Sequence, residues 1–257
     1  MKFRVAIAKA CAGSFALALS GAILLAPARG VSAAAPQPVL VELFTSEGCS
    51  SCPPADRLLM DLDRRQPVPG AQIVVLSEHV DYWNSLGWRD PFSSSGWSER
   101  QSGYARRFGL DSVYTPQMVV NGTSQAVGSD SRSVLDAIKT SAGAPRVAIT
   151  ISGLQRAEDH VEVSYSADAA PNATLYAVLA DASDRSSVAR GENAGRTLDH
   201  VAVARSLTTL ASLQSPALGK TIEIAIPPDD ADRRLRLVLF AQNLKNGSIV
   251  GVAEREL

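Results

Sequence analysis

Cysteine is scarce in this chain: three residues in 257, at positions 11, 49 and 52. That number excludes the multi-bridge framework that staples small secreted domains. It also excludes a zinc site built from two cysteine pairs, since four ligands are the rule and no second pair exists. Aromatic residues make up only 5% of the chain, and all three tryptophans fall between positions 83 and 97. Neither sign of charge dominates. Twenty-five Lys and Arg against 26 Asp and Glu leave a net charge of −1, which gives no electrostatic basis for nucleic-acid binding. The basic run Arg233-Arg234-Leu235-Arg236 is short and reads as the solvated face of a strand. With 46% apolar and 20% charged residues, wholesale disorder is excluded as well.

One long apolar run stands out. Lys2, Arg4 and Lys9 precede a stretch from Ala10 to Ala28, and small residues follow in Val31-Ser32-Ala33-Ala34-Ala35. This is the order of charges, apolar core and cleavage site in a secretory signal peptide, expected over residues 1–35. Cleavage would remove Cys11 and leave no membrane span; an uncleaved anchor is the alternative, which the small residues before Pro36 disfavour. The mature chain is then expected in a periplasmic or secreted, oxidising compartment, with Cys49 and Cys52 as its only cysteines.

Those two cysteines sit where an apolar, β-prone hexamer (Val39 to Phe44) runs through a small polar loop into a helical pattern of Ala55, Leu58, Leu59 and Leu62. A Cys-x-x-Cys at a strand-to-helix junction points to a dithiol redox site. Free backbone N–H groups and the positive end of the helix dipole stabilise a thiolate there. Cys49, the outer residue, suits the nucleophile, and Cys52 is placed to resolve a mixed disulfide. Glu47 should oppose thiolate formation at Cys49 by like-charge repulsion. A static disulfide is the competing reading, because an exported chain can keep such a bond permanently.

The run Ile73-Val74-Val75-Leu76 predicts a second strand after the helix, parallel and adjacent to the first. Its carboxyl end brings His79 to the same sheet edge as the cysteines, where ligands gather in open α/β sheets. Cys49, Cys52 and His79 could therefore hold copper or zinc, since thiolate and imidazole suit both; a hydrogen-bonded structural histidine is the plainer alternative. Trp83 and Trp88 read either as a small satellite core or as an aromatic wall that binds a partner. Further on, a helix ends near Gly109, Thr115-Pro116 opens a strand, and Asn121-Gly122 makes a hairpin turn. A last helix is expected over 129–141.

Beyond Gly143-Ala144-Pro145 the pattern changes to seven short alternating runs with turn residues between them, which predicts a β-sandwich-like domain over 144–257. It contains no Gly-rich phosphate loop, no Gly-x-Ser-x-Gly elbow and no metal-spaced histidine pair. Its unusual stretch is Gly191-Glu192-Asn193-Ala194-Gly195, followed by His200. This reads as a hairpin loop fixed by glycines, or as a docking loop for the first domain or a partner.

The motifs carry two resemblances. The pattern Val-Glu-Leu-Phe, Cys-x-x-Cys, Tyr-Ala-x-x-Phe-Gly-Leu and Thr-Pro-x-x-Val-Val-Asn-Gly resembles the thioredoxin superfamily. The runs Glu-Leu-Phe-Thr-Ser-Glu-Gly-Cys-Ser-Ser-Cys-Pro-Pro-Ala-Asp and His-Val-Asp-Tyr-Trp-Asn-x-Leu-Gly-Trp-Arg-Asp-Pro-Phe resemble a secreted bacterial family, domain of unknown function 1223. The resemblance implies an α/β thioredoxin-like domain over 36–143, with an inserted loop and helix, ahead of the all-β domain. It implies that Cys49 attacks and Cys52 resolves, and that Thr115 and a cis Pro116 align a bound peptide. It also implies that Glu42 is a buried acid taking the proton of Cys52. The expected function is thiol–disulfide exchange on protein thiols or a redox partner protein, without a cofactor beyond the disulfide. The alternatives are a non-enzymatic adaptor with a structural disulfide and a copper-binding chaperone.

Overall fold

The structure is a computed structural model that describes residues 1–4, 6, 35–144, 146–230 and 233–257. The signal peptide expected over 1–35 lies almost wholly outside the described residues. Among the described residues, every strand and helix lies within residues 34–257, one of two compact units of the chain.

The opening segment builds as its pattern predicts. β1 (Gln37–Thr45) runs into the Cys49–Cys52 loop, α1 (Pro53–Arg65) follows, and β2 (Ala71–His79) returns parallel to β1, with Thr45 opposite His79. Prolines 53 and 54 suit the first turn of α1, whose N–H groups have no helical partner. Ala55, Leu59 and Leu62 recur at helical spacing and are buried, so the helix lies apolar side down on the sheet. Truncating Leu59, 1% exposed, removes a contribution of about 2–5 kcal/mol.

α2 (Ser95–Phe108) starts on Ser94, whose side chain accepts from Gly96 N–H, and stops at left-handed Gly109. β3 (Gln117–Val120) and β4 (Ser124–Val127) form the hairpin on Asn121-Gly122, and α3 (Ser131–Ala142) follows.

The second half holds β5 (Ile149–Arg156), β6 (His160–Ala167), β7 (Ala173–Ser187), β8 (Thr197–Ser212), β9 (Ala217–Ala225), β10 (Leu235–Asn243) and β11 (Ile249–Glu256). Strands thus occupy the seven expected runs, but their assembly overturns the expected fold class. An α/β thioredoxin-like fold followed by a β-sandwich is not what forms. The chain is mostly β, about 45% strand and 18% helix among the described residues. One mixed eight-stranded sheet runs through both halves in the order β11-β10-β7-β8-β2-β1-β3-β4, and β5-β6-β9 form a separate three-stranded sheet.

The join lies between β2 and β8, which pair in parallel at Ser77 and Val203. Trp97 of α2 donates its Nε1–H to the carbonyl of Ala204 at 3.1 Å beside that join. Alternation along a strand reveals which face is buried and says nothing about its neighbour, so this connection was invisible in the sequence. The three-stranded sheet packs Val161, Val163 and Tyr165 against Leu175, Leu179, Leu237 and Leu239 of the large one.

Two hairpin turns lock the halves together. Ile249 N–H donates to the carbonyl of Asn121 at 2.8 Å, and the Asn121 side chain accepts from Leu40 N–H at 2.8 Å. Gly122, at φ +66°, packs on the carbonyl of Gly247 with no room for a β-carbon.

Candidate functional site

β1 and β2 end side by side, and their last residues deliver the chemistry. Cys49 and Cys52 are joined by a disulfide, with Cα atoms 5.4 Å apart, and Cys52 caps α1. The loop is tight: Cys49 N–H donates to Ser46 O, and Cys52 N–H to Cys49 O. Ser50 and Ser51 face solvent, whereas both cysteines are 0% exposed.

Partners of the cysteine loop come from more than 140 residues away. β7 and β8 continue as a two-stranded ribbon through Asp181–Ser187 and Thr197–His200, and the loop at its end lies against the backbone of the cysteine loop. Asn193, fully buried, donates Nδ2–H bonds to the carbonyls of Glu47 (2.8 Å) and Cys49 (2.9 Å). Glu192 accepts from Ser50 N–H at 2.9 Å, which holds its carboxyl below the usual range. Gly191, at φ +81°, passes so close to Trp88 that a β-carbon would stand 3.1 Å from that residue's Cβ. The docking-loop reading of Gly191-Glu192-Asn193 thus describes the geometry.

Next to the cysteine loop lies a set of buried ionisable side chains. Glu47 (0% exposed) accepts from Trp88 Nε1–H at 2.7 Å and from Ser186 Oγ–H, and His200 Nε2 stands 3.4 Å from it. Asp56 accepts from Thr45 Oγ–H at 3.0 Å and lies 3.9 Å from His200 Nδ1. Asp90 accepts from His79 Nδ1 at 2.7 Å and from Glu47 N–H at 2.8 Å. The His79 and His200 rings meet edge to face at 4.7 Å, with Phe92 against both. Burial lifts the Asp56 carboxyl above its ordinary value despite the two histidines. Burial pulls His200 down, but Glu47, Asp56 and Asp90 outweigh it and raise its pKa. Asp90 is lowered, because His79 and the backbone N–H groups outweigh burial.

Most expected site residues converge here. Trp83 packs on Gly48 and donates Nε1–H to Thr115 Oγ1 at 2.8 Å, and the Thr115–Pro116 peptide bond is cis. Trp88 reaches the site through Glu47 and His79 through Asp90. His79 Nε2 is buried without a hydrogen-bond partner. Among the described residues, no group of three or more His, Cys, Asp and Glu is arranged to hold a metal ion while Cys49 and Cys52 are bonded to each other.

Glu42 belongs to a different network. Arg100 contacts its Oε1 at 2.6 Å and Tyr104 donates to its Oε2 at 2.6 Å. Buried Glu78 completes that group, 3.5 Å from Arg100, with burial and Glu42 pushing its carboxyl well above the ordinary value. Asp56 and His200 escaped sequence reasoning. The signal that could have found them was the i, i+4 spacing of Cys52 and Asp56, and a histidine closing the Gly-Glu-Asn stretch.

Among solved structures, the chain is similar to a structural-genomics crystal structure of an Agrobacterium tumefaciens protein. The two are 28% identical with a TM-score of 0.61, covering 86% of this chain and 95% of that one. Part of the chain also aligns with a β-glucosidase from Kluyveromyces marxianus at 10% identity and a TM-score of 0.20, covering 44% and 14%, too low to carry any argument. No curated protein matches. The family described as "Protein of unknown function (DUF1223)" matches residues 40–242, so the chain belongs to that family.

Proposed function

We propose that this chain is an exported thiol–disulfide oxidoreductase that exchanges Cys49–Cys52 with protein thiols. The observation that carries the reading is the setting of the disulfide. It closes at the N-terminus of α1 next to Glu47, Asp56, His79, Asp90 and His200, five ionisable side chains none of which is more than 6% exposed. A staple needs no such company, and burying ionisable groups costs stability, a cost that functional sites commonly carry. Cys49 would accept the incoming thiolate and Cys52 would leave and later resolve. Trp83 and Trp88 contact the loop at Gly48 and Glu47, and Thr115 accepts from Trp83, so these three would line a bound peptide. Exchange requires the segment 188–196 to lift from the cysteines.

A structural disulfide is the second reading, favoured by the zero exposure of both cysteines. The test is turnover: the purified mature chain is supplied with a reduced dithiol protein, and disulfide appearance in that substrate is followed beside Cys49→Ser. Stoichiometric or catalytic oxidation that vanishes in the variant supports exchange. No oxidation above buffer, with Cys49–Cys52 intact at the end, sinks it.

A further inference from the structure

Opening a disulfide creates a thiolate on the departing sulfur, and in a covered site that charge must be met by a proton. Cys52 is the departing sulfur when Cys49 is attacked. Cys52 and Asp56 are four apart, and Asp56 N–H donates to Cys52 O at 3.1 Å, so their side chains share one face of α1. Asp56 Oδ1 in turn faces His200 Nδ1 at 3.9 Å. His200 differs from His79 in a telling way. Asp90 fixes His79 through a 2.7 Å hydrogen bond, whereas His200, 3% exposed, has only longer contacts, 3.4 Å from Nε2 to Glu47 and 3.9 Å from Nδ1 to Asp56. His200 also lines a cleft of about 620 Å³ with Arg57, Met60, Ala182 and Val201.

We propose that Asp56 and His200 act together as the acid–base pair of the dithiol, protonating Cys52 as the disulfide opens and deprotonating it as the bond re-forms. This rests on the exchange reading above. The steps balance. A substrate thiolate attacks Cys49 Sγ, a new S–S bond joins them, and the electron pair of the old bond leaves on Cys52 Sγ. Cys52 takes a proton from the Asp56 carboxyl, which His200 replenishes. A second thiolate of the same substrate attacks its own sulfur in the mixed disulfide and releases Cys49 as thiolate. The substrate leaves as a disulfide, two electrons poorer, and the enzyme holds the reduced pair. Run backwards, the same pair reduces a protein disulfide.

The groups facing His200 are Glu47 from the cysteine loop, Asp56 from α1, His79 at the end of β2 and Asp90 beyond it. Asp184 pairs with it across the ribbon, and Arg205 reaches it through the face of Phe92. Glu47, Asp56 and Asp90 favour the imidazolium, and burial opposes it.

The experiment follows disulfide opening in the oxidised mature chain by dithiothreitol, with rates divided by the thiolate fraction at each pH from 5 to 9. In the wild type the normalised rate rises as pH falls through the titration of His200. In His200→Asn and Asp56→Asn it is about 100-fold lower at pH 6 and flat with pH. Added imidazole restores His200→Gly. A His200→Asn protein with the wild-type profile overturns the pair while leaving exchange intact. A wild type that dithiothreitol opens but no protein dithiol does overturns the exchange reading itself.

Discussion

Asn193→Ala tests whether the far loop closes the disulfide. The side chain makes two donor bonds, to the carbonyls of Glu47 and Cys49, and accepts a third from Arg196 Nη1 at 3.1 Å. Truncation removes about 1 kcal/mol per donor bond, and the stranded carbonyls cost more unless water reaches them. The closed arrangement should therefore lose about 2–3 kcal/mol relative to the lifted one. At 1.4 kcal/mol per decade this enlarges the lifted population roughly 30- to 150-fold. When opening and closing are fast against chemistry, the rate of attack on a covered bond follows that population. Reduction of Cys49–Cys52 by a low, fixed concentration of dithiothreitol should accelerate by the same factor, read by alkylation and mass spectrometry. A variant that melts at a lower temperature but is reduced within twofold of the wild-type rate would refute the reasoning, because the loop would then not control access.

Four further outcomes follow from the same contacts. Glu42→Gln should cost about 3–5 kcal/mol in urea unfolding by leaving Arg100 buried without its closest partner. Gly191→Ala should destabilise by roughly 1–2 kcal/mol, because its left-handed backbone and the nearby Trp88 both oppose a β-carbon. Trp88→Phe should cost about 1–3 kcal/mol and shift the pH profile of disulfide opening, since Glu47 loses its indole donor. Stability should fall between about pH 5 and 8: His200 is raised, and burial with Asp230 raises Asp181 to about 7, so the folded chain holds more protons than the unfolded one. Thermal melts that rise across that range would contradict the assignment.

The sequence carried the local structure well, because each local signal has a local cause. Pro53-Pro54 ahead of Ala55, Leu59 and Leu62 can only start a helix and bury one face of it. Asn121-Gly122 between two apolar runs turns a hairpin. The fold class failed because strand pairing is long-range. β2 and β8 meet at one ladder position, and nothing in Ser77 or Val203 announces the other. Polar composition hid the rest. Asp181–Ser187 and Thr197–His200 look like loop, yet they extend β7 and β8 as the ribbon that carries Asn193 and His200 to the cysteines. Glu42 was assigned by analogy along β1. Its actual partners, Arg100 and Tyr104, lie on a helix 58 and 62 residues away in sequence.

The reduction potential of the Cys49–Cys52 pair, obtained by equilibrating the mature chain in glutathione and dithiothreitol buffers, bears most directly on the exchange reading. A catalytic pair lies between about −120 and −270 mV, and that is the value expected here. A potential below about −300 mV would identify a structural disulfide and contradict the account.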